Sequence, residues 1–259
     1  DNDDMVRIPA GVVLLGEDGR DAPGRRTFVP AFRIDRHEVT NRQFAAFVAA
    51  TRYRTVAERA GGGAVFIAPI EIDGTGPAQW WKFVEGANWR HPRGPDSDID
   101  KVMEAPVVQI AWEDAEAYAR WNGTTLPSRE QWERAARATQ SDTQPQSSWA
   151  YSPTGHPIAN TWQGIFPVKD VKEDGFSGLA PVGCFPPNSF GLVDMIGNAW
   201  EWTSEKSAPG TQIVRGGSFL CSINYCANFR PAGWQAQETD FPTSHIGFRT
   251  VDVPEQQPS

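Results

Sequence analysis

Apolar positions change their spacing several times along the chain, and each change predicts an element. Between Met5 and Leu15, Val6, Ile8, Val12, Val13 and Leu14 read as a short strand pair broken by Pro9 and Gly11. Phe32-Arg33-Ile34-Asp35 alternates as another strand. Thr40-Asn41 then offers an N-cap, and Phe44, Phe47 and Val48 follow at helical spacing. Gly61-Gly62-Gly63 predicts a loop, and the segment carrying Trp80, Trp81, Phe83 and Trp89 is too rich in turn residues for a long helix. A second helix is expected over about Trp112 to Trp121, stopped where Gly123 can take a left-handed cap. A third starts at Ser128, with Gln131 completing a capping box and Trp132, Ala135 and Ala136 facing the core. After Ala138 the periodicity fades. Thr139 to Ser148 reads as a polar loop, and Gly, Pro and aromatic residues dominate to the end.

The 24 Gly and 21 Pro agree with a fold made largely of turns, while 11 Trp and 14 Phe supply aromatic packing in place of long regular layers. No internal repeat, heptad or composition shift divides the chain, so one irregular domain over residues 1–259, low in regular secondary structure, is expected. A net charge of −8 argues against nucleic-acid or anionic-membrane partners, which select clustered positive charge. No apolar run approaches a membrane span, so no membrane insertion is expected. The start Asp1-Asn2-Asp3-Asp4, without Met, reads as a processed N-terminus, which suits a periplasmic or secreted protein.

The candidate chemistry begins with Cys221 and Cys226, five residues apart behind Arg215-Gly216-Gly217-Ser218. A close thiol pair can bind a soft metal, cycle as a redox couple or form a disulfide, and the residues alone leave all three open. Cys221 with His245 is also a conceivable nucleophile–base pair. Phosphate-binding glycine loops and a nucleophile elbow are absent from the sequence. Asn198 to Thr203, with Asp194, reads as one tight turn in which Asp194 and Glu201, with the carbonyls of Gly197 and Ala199, offer the carboxylate–carbonyl mixture that a hard cation takes. Asn160 and Asp174, with the carbonyls of Thr161 and Phe176, offer a second such set.

Five segments, Gly86-Ala87-Asn88-Trp89-Arg90-His91-Pro92, Leu126 to Glu133, Gly197-Asn198-Ala199-Trp200-Glu201-Trp202, Arg215-Gly216-Gly217-Ser218 and Gly247-Phe248-Arg249, stand in one order from end to end. In that order they resemble the formylglycine-generating enzyme, or sulfatase-modifying factor, family. The resemblance implies a single irregular α+β, C-type-lectin-like domain. It also implies two structural Ca²⁺ sites, on Asn160, Thr161, Asp174 and Phe176 and on Asp194, Gly197, Ala199 and Glu201. Cu(I) is implied at Cys221 and Cys226, with Ser218 beside them, and O2 oxidising a sulfatase cysteine to formylglycine. Cys184 lies where the family carries a small non-thiol residue and is expected to be a buried hydrophobe.

The resemblance breaks where substrate should sit. The family's Arg-Tyr-Arg, Ala-Arg-Ser and Asn-Thr-Pro-Asp-Ser-Ser are replaced by Asn228-Phe229-Arg230 and Trp234 to Asp240. Trp234, Glu238 and Asp240 predict an aromatic, acidic substrate pocket, with His245, Glu238 or Asp240 as proton acceptors. This combination favours an O2-dependent oxidase acting outside the cytoplasm on a peptide-derived metabolite. A precursor of the siderophore pyoverdine is the favoured substrate, as in one periplasmic branch of the family. An authentic copper-dependent formylglycine-generating enzyme and a non-catalytic, Ca²⁺-stabilised binding module are the two alternatives.

Overall fold

The computed structural model describes residues 4–16, 24–71, 79–140 and 146–252. Two small sheets are built from distant parts of the chain. The first joins both ends: β1 (Met5–Ile8), β4 (Phe32–Asp35), β14 (Val251–Asp252) and β7 (Thr124–Thr125) lie in the order β1-β4-β14-β7. Val251 is opposite Ile34 on one side and Thr125 on the other. The second sheet is β12 (Trp234–Glu238), β11 (Thr211–Arg215), β10 (Trp200–Ala208) and β13 (Ile246–Gly247), in that order. Three hairpins complete the strands: β2 (Gly11–Leu15) with β3 (Arg25–Val29), β5 (Gly62–Phe66) with β6 (Trp81–Glu85), and β8 (Gly164–Ile165) with β9 (Lys169–Asp170).

Local signals set the helices. In α1 (Asn41–Thr51), Thr40 accepts from the Gln43 amide while the Gln43 side chain returns to Thr40 N, closing a capping box. The same device starts α2 (Val56–Ala60) at Thr55 with Glu58, and α4 (Arg129–Arg137) at Ser128 with Gln131. Helix α3 (Trp112–Asn122) starts behind Ala111, where the Asp114 carboxylate reaches back to Ala111 N at 2.9 Å, and it stops at Gly123 with φ +71°. The helices bury aromatic faces. Phe44 lies within 5.3 Å of the Phe47 and Trp89 rings, and Tyr118 stacks on Phe44 at 6.0 Å. Trp132, with Ala135 and Ala136, packs on Ile8, Ile34 and Val251 of the first sheet.

Four expectations are corrected. Gly61 alone caps α2; Gly62 and Gly63 begin β5, because a Cβ on Gly62 would meet Val84 O at 2.4 Å and only glycine allows that approach. After Ala138, where the fading periodicity offered no element, the β12-β11-β10-β13 sheet forms. Trp200 to Thr203 are strand rather than tight turn, since β10 pairs with both β11 and β13. Cys184 is exposed, not buried. The loop expected over 139–148 lies partly outside the described residues.

Candidate functional site: a cysteine pair in an aromatic cavity

Gly216 and Gly217, with φ of +94° and +78°, carry the chain from the end of β11 into the cysteine loop. Their backbones are held close: a Cβ on Gly216 would sit 3.0 Å from Met195 O, and one on Gly217 would sit 3.1 Å from Phe229 Cα. Ser218 follows, fully buried. Its carbonyl accepts from Cys221 N at 2.9 Å, and its hydroxyl oxygen accepts from Leu220 N at 3.2 Å. That turn places Cys221 Sγ 2.9 Å from Cys226 Sγ, with both cysteines as free thiols.

The two sulfurs are not equivalent. Burial pushes the Cys221 thiol well up, and its bond to Cys226 adds to the rise. Cys226 is pulled down, first by that bond from Cys221, against its own burial, with Asn228 and Arg230 helping. Asn228 Nδ2 lies 3.7 Å from Cys226 Sγ, and Arg230 Nη1 in turn lies 3.3 Å from Asn228 Oδ1. Of the pair, Cys226, the more accessible one, therefore gives up its proton more readily.

Both thiols line a cavity of about 310 Å³. Its aromatic walls include Trp81 and Trp200, and Phe166, on which Tyr225 stacks at 4.6 Å. Its polar floor comes from β12 and the loop before β13: Gln235, Gln237, Thr243 and His245. The His245 ring sits 4.6 Å from that of Trp81, its Nδ1 is 2.7 Å from Thr243 Oγ1, and burial drives its pKa down to about 3. The imidazole is neutral at every physiological pH. A larger open cleft of about 810 Å³ beside the C-terminal end of α1 contains none of the cysteines.

Of the expected site residues, Ser218, Cys221, Cys226, Glu238 and His245 meet in the cavity. Trp234 and Asp240 do not line it. Trp234 points away because strand side chains alternate, and Gln235 and Gln237 hold the inward positions of β12. Asp240 is exposed in the turn after the strand. Trp81, Tyr225, Gln235 and Gln237 were not foreseen. The period-two pattern Gln235-x-Gln237 was their one available signal.

The oxygen-rich loops lie directly behind the cysteines. Phe219 N donates to Asn198 O and Trp162 N to Cys221 O, both at 2.9 Å, and Asn198 N donates to Asn160 O at 2.8 Å. In the first loop the Asp174 carboxylate accepts from Phe176 N at 2.9 Å and from Thr161 N at 3.2 Å. Gln163 Nε2 donates to both Thr161 O and Asp174 Oδ2, so these two oxygens converge on one point. Converging carbonyl and carboxylate oxygens are a donor set that fits Ca²⁺. In the second loop Asp194 accepts from Gly183 N at 2.6 Å. Glu201 is engaged by Arg249 Nη2 at 2.7 Å, Arg249 Nε at 2.8 Å and Trp132 Nε1 at 2.7 Å. Glu38, buried in the same cluster, makes no side-chain hydrogen bond, and burial raises its pKa well above the carboxylate range, with Asp194 adding to the rise. Among the described residues no three His, Cys, Asp or Glu side chains form a metal-holding group. The two cysteines, soft donors in a largely apolar cavity, fit Cu(I).

Comparison with known proteins places this geometry among relatives. The family described as sulfatase-modifying factor enzyme 1-like domain matches residues 1–253. The formylglycine-generating enzyme of Mycobacterium tuberculosis is 40% identical, with 97% of this chain and 98% of that protein aligned. The inactive C-alpha-formylglycine-generating enzyme 2 of Mus musculus is also 40% identical, over 95% of this chain and 84% of that protein. Among solved structures, PvdO from Pseudomonas aeruginosa superposes with a TM-score of 0.68 at 21% identity, covering 95% of this chain and 93% of that one, a likeness of fold.

Proposed function

Because the chain is an enzyme of the sulfatase-modifying factor family, we propose that it is an O2-dependent oxidase that converts a peptidyl cysteine to formylglycine at Cys221 and Cys226. One observation carries the reading: the two thiols stand 2.9 Å apart and open together into a cavity with a neutral polar floor. The balance of the reaction is fixed by its electrons. Turning the substrate's thiol-bearing methylene carbon into an aldehyde, with loss of hydrogen sulfide, releases two electrons. O2 takes four, so two more come from an external thiol pair, which becomes a disulfide, and one water is released. Cys221 and Cys226 would hold Cu(I), which would supply the one-electron chemistry that lets a thiol react with triplet O2. The chain's own residues would hold that centre: Ser218 fixes the turn and donates to Cys221, Cys226 is the sulfur that gives up its proton more readily, and Trp81 and Trp200 wall the cavity.

Ca²⁺ at the Asp174 loop belongs to the same proposal, with a structural role, because Trp162 of that loop hydrogen-bonds Cys221 from behind; at the second loop Arg249 already engages both oxygens of Glu201. The second reading is oxidation of a dihydro-pyoverdine precursor in the periplasm. Its support is the cavity's aromatic lining, which suits a flat conjugated ring. Among the described residues no helix is long and apolar enough to cross a membrane.

The experiment is a peptide containing Cys-x-Pro-x-Arg, incubated with the copper-loaded protein, O2 and a thiol reductant, with aldehyde read by mass spectrometry. Aldehyde that needs both cysteines supports the reading. No aldehyde, together with an absorbance change on dihydropyoverdine, transfers it to the siderophore precursor. Turnover of neither substrate leaves a binding module.

A further inference from the structure

Strand β12 is the edge of its sheet: β11 lies on one side, and among the described residues no strand pairs with the other. Alternation sends Gln235 and Gln237 into the cavity that holds the cysteines. Gln237 is 8% exposed, and its one described side-chain bond, Nε2 to Phe241 O, is long at 3.4 Å. Each carboxamide has both a donor and an acceptor to offer. Formal charge is scarce on this wall: Glu238 is exposed at the strand's end, and His245 is neutral. Such a surface rewards a neutral partner that presents N–H and C=O groups alternately. An extended polypeptide does this, and its spacing matches, because residues two apart on any strand lie about 6.7 Å apart.

We propose that Gln235 and Gln237 are specificity-determining residues that pair with backbone amides flanking the oxidised cysteine of an extended peptide. The inference rests on the peptidyl-cysteine reading and deepens it. Trp234 to Glu238 stand where the resemblance to the family breaks, so this is a property of the present chain. The polar wall sets which flanking backbone is held, and the cysteine wall sets what happens to it.

The test uses the full chain with Gln237→Leu, Gln235→Leu and the double variant, each first checked for an unchanged melting temperature. Affinity for a peptide with Ser in place of the reacting Cys is read by tryptophan fluorescence, independently of turnover. Turnover of the Cys peptide is then split into kcat and KM. Each single variant should weaken binding and raise KM about fivefold to tenfold, with kcat within about twofold, as expected for one lost hydrogen bond. Gln237→Asn should recover part of the loss. N-methylation of the peptide amide beside the cysteine should weaken wild type and not weaken Gln237→Leu further, the non-additivity of a shared contact. Unchanged affinity and KM in a stably folded double variant, or fully additive effects of N-methylation, overturn the assignment. A wild type that binds the Ser peptide but makes no aldehyde defeats the parent reading alone, and the binding arm still decides the glutamines. A wild type that fails to bind any peptide defeats both.

Discussion

The cavity has two walls built on opposite principles. The cysteine wall is held from behind: Cys221 N bonds to Ser218 O, Trp162 N to Cys221 O and Phe219 N to Asn198 O, so two distant loops fix its backbone. The β12 wall hangs from one neighbouring strand and presents side chains on a free edge. A side chain on such a strand can change without moving the backbone, whereas a change behind the cysteines must shift several bonded segments together. On the proposed reading the cysteine wall keeps its geometry while the β12 wall is free to vary, an arrangement by which one fold can serve several substrates.

The sharpest break in that comparison comes from the sulfurs. Cys226→Ser should lower aldehyde formation by a factor of about 10³ or more, as loss of a reacting group does. Its melting temperature should stay within about 2 °C of wild type, because one partly accessible atom changes. Residual turnover above a tenth of wild type would remove Cys226 from the chemistry.

Next in size is the brace. Gly197 has φ +80°, and a Cβ there would sit 2.3 Å from the Asn160 carbonyl oxygen. Gly197→Ala should cost about 3 kcal/mol or more in urea unfolding, since neither backbone can yield. Activity should fall in the surviving folded protein as the Asn198–Phe219 bond shifts. An equally drastic change on the exposed face of β12, Ala236→Lys, should cost less than about 1 kcal/mol.

Calcium removal tests the same brace chemically. With Ca²⁺ at about 100 times its dissociation constant, binding adds about 3 kcal/mol to folding, so EGTA should lower the melting temperature by about 5 °C or more. Asp174→Ala should be less stable and should respond less to added Ca²⁺, because the carboxylate that meets Thr161 O on one point is lost. A wild-type melting temperature indifferent to EGTA would leave the loops held by their hydrogen bonds alone.

His245 gives a pH signature between the two walls. Its folded pKa, about 3, lies below the unfolded value near 6.5, so the unfolded chain binds the extra proton first. Stability from the neutral imidazole is complete above about pH 6.5 and is lost as pH falls toward 3. Between pH 7 and 5.5 the loss should be about 1 kcal/mol. Denaturant titrations at the two pH values measure it, and His245→Phe should remove this part of the slope.

How far the sequence reveals all this depends on the range of the interactions. The N-cap at Thr40 and the capping box at Ser128 were legible because the partners lie within four residues. The sheet around β10 to β12 was not, because Gln235, Gln237, Glu205 and Lys206 carry no strand-like hydrophobic signal and the strand exists through pairing with distant partners. The cysteine wall was readable as a motif. The β12 wall was readable in composition but not in direction, since a one-residue change in parity turns every side chain to the other face.

Trp234 puts that last point at risk in the smallest expected effect. Its composition and position, in place of a family arginine, mark it as a substrate contact, yet it is 37% exposed and lies on the face of β12 away from Gln235 and Gln237. If the face decides, Trp234→Ala should leave KM and kcat for the Cys peptide within about twofold and cost no more than about 1 kcal/mol of stability, as surface changes do. If composition decides, KM should rise as it does for Gln237→Leu. The same kinetic assay applied to both variants separates the two faces of one strand, because Trp234 and Gln237 share its backbone and differ in the parity of their positions.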